Sequence, residues 1–470
     1  MTDIAALHRE APTMAPSFVV HARRGAVALA CIAVLGAAAA PVASADESPS
    51  PKGSPSTPAS GSAQLPKGLY GAKDPKFDGV WRQSLAFLAQ HATDITPATD
   101  AIDWLAGQQC DDGGFATYRA DPKAPCEAKK GEFSDATGVA VQALAAVGGR
   151  GTVVAKGLDW LTRHQNADGG WGMNPGSPSD PNSTAVAIGA FAAADKDPAK
   201  VASAKGGKNP YDALLGFQLG CDAKESERGA FGYLPDKNGK LSPNALATAD
   251  STIAARGKGF LIDPAEQSDS AAVQPLPCKD GTKKPNPQGT AGHKTGDPKT
   301  AADAATAYLT AALSAQGQHL MAALPGAKPQ PDFGSTADAV IALAAGDQRK
   351  AAQAPLGWLQ ASKNGALTWA KGDPGALAKL VLATRAAGAD PRAFGGTDLV
   401  KQLNATGPAP AADSSNDDAK DNNNQDDKGD KGDKGDDDGG GMAVWWIVGV
   451  GLVGGIGIGF LLSGRKKQQL

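Results

Sequence analysis

A repeated pattern in the middle of the chain constrains the fold more than any other feature. Its clearest copy, residues 156–171, reads KGLDWLTRHQNADGGW, in which a Trp-Leu pair is followed by a glutamine and a Gly-Gly-aromatic turn. Residues 101–115 hold a second strong copy, residues 214–231 and 357–369 hold weaker ones, and Tyr308-Leu309 begins another. The equivalent residues Trp104 and Trp160 of the two strong copies lie 56 residues apart. A repeat of this length predicts a two-helix unit with long loops.

A second, more apolar segment follows each copy. The segments at 137–146, 184–193 and 336–345 align with one another and are apolar on nearly every side, which predicts buried helices. Each begins among Ser, Thr, Asp or Asn residues, which favour the N-terminus of a helix. The unit is therefore an outer amphipathic helix, a glycine turn with an aromatic residue, and an inner buried helix. About five such units stacked in a line would leave the first and the last unit uncovered on one side. Closing the stack into a ring buries both ends.

These residues resemble a known family. The spacing of Trp160, Gln165 and Trp171 is that of the QW motif of the prenyltransferase/squalene-cyclase repeat, and residues 101–115 match it nearly as well. The resemblance covers residues 67–405. It implies an all-α fold, an α/α toroid of helix-pair repeats with an inner and an outer ring. It also implies that the motif is scaffold, because in that family the glutamine caps helix ends and the aromatic ring stacks against it.

The catalytic signatures of the family do not occur here. The chain has no Asp-x-Asp-Asp string, which cyclases of the squalene-hopene type use to protonate their substrate. Its cysteines and histidines stand in no zinc-like pair, so no metal site is predicted and no cofactor is named. Asp-Asp-x-x-Asp occurs at 417–421 and 426–430, but inside a low-complexity acidic tail where chance explains it. Enzymatic activity is left open, and the pattern favours a protein that is not an enzyme.

Segments at both ends of the chain are predicted to interact with membranes. Residues 1–45 read as a signal peptide, with Arg23-Arg24 before an apolar run and small residues up to a cleavage site after Ala45. Residues 442–462 are long and apolar enough to span a bilayer, and the basic residues within 463–470 place that tail in the cytoplasm. We expect an exported protein of the cell membrane, with a single pass and an extracellular N-terminal domain.

Two segments flank the predicted ring domain. Residues 46–66 form a Ser/Pro-rich linker, and residues 406–441 form an acidic spacer with Lys-Gly-Asp repeats. Neither shows apolar periodicity, so both are predicted to be disordered.

Four cysteines remain after removal of the predicted leader, and an even number in an exported chain predicts two disulfides. Three pairings are possible. We prefer the sequential one, Cys110 with Cys126 and Cys221 with Cys278.

The net charge of the chain and its predicted export limit the classes of function that it can have. A net charge of −3 argues against nucleic acid as the partner. The first hypothesis is a surface-anchored protein that binds a small molecule or lipid in the toroid cavity, for a transporter. A second is an exported enzyme that acts on a terpenoid or glycan with a non-standard acid. A third is a structural surface domain without a ligand.

The candidate ligand site follows from the ring. The N-termini of the inner helices converge on one mouth, where free N–H groups favour polar or anionic groups. The candidates are the polar residues at these starts and the aromatic residues of the preceding loops: Asp135, Thr137, Asn182 and Thr184, with Ser134, Ser183, Ser335 and Thr336, and Phe115, Trp171, Phe231 and Trp369. Helix capping is the simpler explanation of the polar set. Asp135 stands apart, because an acid beside an apolar cavity has a raised pKa and can act as a proton donor.

Overall fold

A computed structural model describes residues 66–126, 131–264, 273–278, 296–322 and 328–411. The predicted signal peptide, transmembrane helix and cytoplasmic tail lie outside these residues, as do nearly all of the two predicted disordered segments. No helix in the described ranges has the length and apolar character needed to cross a membrane. All described residues belong to one compact unit, Gln64–Leu470.

The described residues form an all-α structure, as predicted. One short antiparallel pair, β1 (Leu320–Ala322) and β2 (Gln330–Asp332), joins Leu320 to Asp332 in register. The helices are α1 (Gly79–His91), α2 (Thr99–Gly107), α3 (Ser134–Val147), α4 (Gly151–His164), α5 (Pro181–Ala193), α6 (Pro210–Leu214), α7 (Ala245–Ala255), α8 (Pro298–Ala315), α9 (Phe333–Ala345), α10 (Arg349–Gln360), α11 (Ala366–Ala370), α12 (Pro374–Ala386) and α13 (Leu399–Asn404).

Six of these helices pack in a closed cycle. Helices α1, α3, α5, α7, α9 and α12 each contact the next, and α12 contacts α1. They are almost completely buried, because their sequences are rich in alanine and other apolar residues on every side. The sequence predicted about five helix pairs, and the described residues contain six inner helices.

The remaining long helices cover this cycle. Helices α2, α4, α8 and α10 bury less than half of their residues, and each packs on the inner helices that flank it in the chain. In α4, for example, Gly157, Leu158, Trp160 and Leu161 are buried while half of the residues are exposed. An amphipathic outer helix around a buried inner one is what the repeat predicted.

The two ends of the ring domain meet. The backbone N–H of Gly71 donates to the carbonyl of Thr406 at 2.8 Å. The amide of Gln90, at the end of α1, donates to Asn404 Oδ1 at 2.8 Å. The contact between α1 and α12 is therefore reinforced by hydrogen bonds between segments at opposite ends of the domain.

The motif glutamines connect successive units. Gln165 Nε2 donates to the carbonyl of Gly169 at 2.7 Å within its own turn and to Val201 at 3.3 Å in the next unit. Gln218 Nε2 likewise donates to Gly229 at 3.0 Å and to Ala301 of α8 at 2.8 Å. Each glutamine thus joins its turn to the outer part of the following unit, which is a structural role.

The disulfide prediction is confirmed. Cys110 pairs with Cys126 and Cys221 with Cys278, at Cα–Cα distances of 5.8 and 5.6 Å. Glu132 lies near the first disulfide and completes a group of three potential metal ligands, but both sulfurs are already bonded to each other.

Candidate functional site

Three of the four predicted rim aromatics lie in the core. Phe115, Trp171 and Phe231 are fully buried, so they do not line a mouth. Each donates its backbone N–H to the hydroxyl of a buried threonine on the following inner helix. The pairs are Phe115 with Thr137 at 2.9 Å, Trp171 with Thr184 at 3.1 Å and Phe231 with Thr248 at 2.9 Å. Thr137 and Thr184 thus tie a turn to the following inner helix, and their place at a ligand site stays a prediction.

The helix caps also lie elsewhere than predicted. The N-caps of α5, α7, α9 and α12 are Asp180, Asn244, Asp332 and Asp373, and each side chain accepts a backbone N–H from the first turn. Asp180 stands four residues before Thr184. An available sequence signal was the Asp-Pro pair at 180–181, because proline favours the first helical position directly after a cap.

Trp369 is the predicted aromatic that keeps partial exposure. Its ring lies 5.7 Å from that of Phe333, the first residue of α9, and Phe333 lies 5.6 Å from Trp358. His319 stacks on the other side of Trp358 at 4.3 Å. These half-buried rings flank the N-terminus of α9, close to the predicted mouth.

Asp135, the second residue of α3, has the environment that the sequence predicted for it. Its Oδ1 atom is buried and has no hydrogen-bond partner among the described residues. Burial raises the pKa of Asp135 to about 7, and the nearby charge of Asp180 adds to that shift. Asn182 Oδ1 is also buried and has no hydrogen-bond partner among the described residues. Asp135 and Asn182 therefore each present an unpaired acceptor atom.

Asp180 and Tyr233 complete this group. Asp180 accepts hydrogen bonds from the backbone N–H and hydroxyl of Ser183 at 2.9 and 2.8 Å. Burial raises the pKa of the half-buried Tyr233, and the charges of Asp180 and Asp135 raise it further. The starts of α3 and α5 therefore supply two carboxyl groups, and the segment before α7 supplies a phenol that interacts with both of them electrostatically.

A second layer of charged residues lies about one helical turn further along the inner helices than Asp135. Asp250, Asp338 and Lys379 are each the sixth residue of an inner helix, in α7, α9 and α12. Lys379 Nζ donates to Asp338 Oδ2 at 2.5 Å. Although burial lowers the pKa of Lys379, the charges of Asp338 and Asp250 outweigh burial and raise it, so the ammonium stays protonated.

Asp250 is the most isolated member of this layer. Its side chain is 8% exposed, and its Oδ1 atom has no partner among the described residues. Burial raises the pKa of Asp250 well above its ordinary value; Asp338 and Asp135 add to the shift, and Lys379 opposes it. Sequence reasoning missed this layer, although Thr-Ala-Asp occurs at both 248–250 and 336–338 in otherwise apolar segments.

The segment at 256–264 closes the ring interior beside Asp250. The backbone N–H of Phe260 donates to Gln142 Oε1 at 3.1 Å, and the Phe260 ring meets Trp81 edge-on at 5.9 Å. Gly259 fits there because a Cβ atom would lie 2.3 Å from Gln142 Oε1. The segment is thus packed into the interior of the ring.

Taken together, the inner face offers carboxylates rather than free N–H groups. The sequence predicted a preference for polar or anionic ligands at the mouth. Because Asp135, Asp180 and Asp250 dominate this face, it suits ligands that are cationic or donate hydrogen bonds.

Comparison with known proteins gives only distant similarities. No protein-family model matches the chain, and no curated protein matches its sequence. Among solved structures, a protein from Actinoplanes is 16% identical with a TM-score of 0.38, over 68% of this chain and 93% of that one. The geranylgeranyltransferase-I of Candida albicans, solved with GGPP, is 14% identical with a TM-score of 0.27, over 48% of this chain and 63% of that one. Neither similarity is close enough to decide a family or an activity.

Proposed function

We propose that this is a cell-surface protein that binds a small molecule or lipid inside a ring of helices, for delivery to a transporter. The ring is an α/α toroid of the prenyltransferase/squalene-cyclase type. The cycle of six inner helices and the glutamine-containing turns support that fold assignment.

The observation that carries the proposal is a pair of unsatisfied carboxyl oxygens on the inner helices. Asp135 Oδ1 and Asp250 Oδ1 are buried, and neither has a hydrogen-bond partner among the described residues. A buried polar atom without a partner costs about 1–3 kcal/mol. Groups of this kind, with perturbed pKa values, concentrate at functional sites.

The location rests on the sequence and on the cysteines. Residues 1–45 and 442–462 have the pattern of a leader and an anchor. Two disulfides fit an oxidising compartment outside the cytoplasm.

A second candidate is an exported enzyme in which Asp135 is a general acid. The observation that favours it is the raised pKa of Asp135, about 7, beside the second carboxyl group of Asp180. An acid with a pKa near the working pH is suited to proton transfer. The two candidates differ in whether the bound molecule leaves unchanged.

Native mass spectrometry tests the proposal. The full chain, purified in mild detergent, is incubated with the small-molecule fraction of cell extract, and the mass of any retained adduct is measured. We expect an adduct of defined mass on the wild type and its loss in Asp250→Asn and Asp135→Asn. Asp159→Asn is the matched control, because Asp159 is exposed on the outer helix α4.

The other outcomes separate the alternatives. If the mass of the adduct changes during incubation with the wild type but stays constant with Asp135→Asn, the enzyme hypothesis is favoured. No adduct on the wild type, or the same adduct on all variants, contradicts ligand binding at this face and leaves a structural surface domain.

A further inference from the structure

The interior holds a small cavity between three inner helices and the segment at 256–264. Val186 of α5, Asp250 and Ile253 of α7, and Phe260 are among the residues that line it. It has room for about one water-sized group. A ligand therefore reaches Asp250 with a single small polar group, and anything bulkier requires the segment at 256–264 to move.

The lining leaves the carboxyl group of Asp250 without a donor. Gln142 also lines the cavity, but its amide Nε2 already donates to the carbonyl of Val186 at 3.0 Å. Its Oε1 accepts from Phe260. Asp250, 8% exposed, thus brings an unsatisfied acceptor to a small cavity whose lining also includes Lys258.

Carboxyl groups outnumber ammonium groups around the cavity. Asp135, Asp180, Asp250 and Asp338 interact electrostatically along the inner face. Against them stand Lys379, which is already paired with Asp338, and Lys258, which borders the cavity. Burial disfavours the charged form of Asp250, and an ammonium group beside it would favour that form, as Lys379 does beside Asp338.

The lining of the cavity also includes an aromatic residue. The Phe260 ring lines the cavity and is held edge-on against Trp81. The face of an aromatic ring attracts an ammonium by about 0.5–2 kcal/mol, more where water is excluded. A carboxylate and an aromatic ring on one small cavity form a recognition pattern for an ammonium group.

We infer that the ring binds a primary alkylamine, whose ammonium group lies between Asp250 and Phe260. This inference rests on the proposed function and specifies the chemical class of its ligand. A divalent cation fits less well, because Asp250 is the only carboxylate side chain that lines this cavity and a lysine borders it. A quaternary ammonium fits less well, because its head group has no N–H to donate to Asp250 and is larger than a water-sized group.

Isothermal titration and thermal unfolding of the full chain test the inference. The probes are n-butylammonium, its neutral counterpart 1-butanol, tetramethylammonium and Ca²⁺. We expect n-butylammonium to bind and to raise the unfolding midpoint, and the other three to do neither. Asp250→Asn should weaken that binding by about tenfold or more. Phe260→Leu, which keeps an apolar side chain, should weaken it by about 3- to 30-fold. Asp159→Asn should leave it unchanged.

Each contrary result has a definite meaning. Equal binding of 1-butanol shows an apolar site, and binding of Ca²⁺ or tetramethylammonium in place of n-butylammonium shows a different cation class; all of these overturn the inference. If n-butylammonium does not bind while the native adduct is present and depends on Asp250, the amine class is wrong but the binding function stands. If neither is seen, both proposals fail.

Discussion

At the scale of single residues, the inner face is defined by acids whose charged form is disfavoured. Asp135 illustrates this, because burial and Asp180 together raise its pKa to about 7 from an ordinary value of 3.8. The folded state therefore binds a proton more tightly than the unfolded chain does. The resulting stability is fully present below about pH 4 and is lost as the pH rises through about 7.

Replacement of Asp135 by asparagine should remove this pH dependence. Asparagine keeps the size of the side chain and cannot ionise, so Asp135→Asn and the wild type should be similarly stable at pH 4. At pH 8 the variant should be more stable by on the order of 4 kcal/mol. The measurement is urea unfolding between pH 4 and 8, with Asp159→Asn as the control. Parallel curves for Asp135→Asn and the wild type would show that Asp135 ionises normally in the folded protein.

At the scale of helices and turns, a hydrogen bond between a turn and the following inner helix stabilises three of the units. A threonine near the start of the inner helix accepts the N–H of the aromatic residue that ends the preceding turn. Because both partners are fully buried, water cannot replace the bond when it is lost.

Thr184→Val should therefore destabilise the protein without affecting ligand binding. Valine has the same shape but no hydroxyl, so the N–H of Trp171 loses its partner, at a cost of about 1–3 kcal/mol. Thr162→Val is the control, because Thr162 is exposed and its hydroxyl donates to the carbonyl of Leu158 in its own helix. We expect about 0.5 kcal/mol or less for the control by chemical unfolding. Equal losses for both variants would contradict a tie between turn and helix.

At the scale of the whole molecule, closure distinguishes this ring from an open stack of repeats. In an open array each repeat contacts only its neighbours, and the terminal repeats unfold separately. Here α12 contacts α1, and Gln90, with no exposed surface, bonds to Asn404 across the junction. A change at the junction should therefore be felt on the opposite side of the ring.

Gln90→Leu tests this cooperativity. The substitution removes the bond to Asn404 and the hydrogen bonding with the Tyr70 hydroxyl at nearly constant volume. It should lower hydrogen-exchange protection in α5 and α7, on the opposite side of the ring, as well as in α1 and α12. Gln353→Leu on α10 is the control, because Gln353 is exposed and its amide bonds only to the carbonyl of Ala387. Loss of protection confined to α1, α12 and α13 would show that the ring unfolds as independent units.

What the sequence alone determined is local. The spacing of Trp160, Gln165 and Trp171 and the apolar inner segments predicted helix pairs, because amphipathic period and turn chemistry depend on near neighbours in the chain. The cysteine count and spacing predicted both disulfides. The position of Asp135 at the start of an apolar helix was sufficient to predict its raised pKa.

Only the tertiary structure decided which residues share the inner face. Phe115, Trp171 and Phe231 have the composition of a binding rim, yet they fill the space between inner and outer helices and are buried. Asp250, Asp338 and Lys379 lie far apart in the sequence and meet because three helices present their sixth residues at one level of a closed ring. The register between helices that are distant in the chain depends on how the whole ring packs, and no short stretch of sequence encodes it.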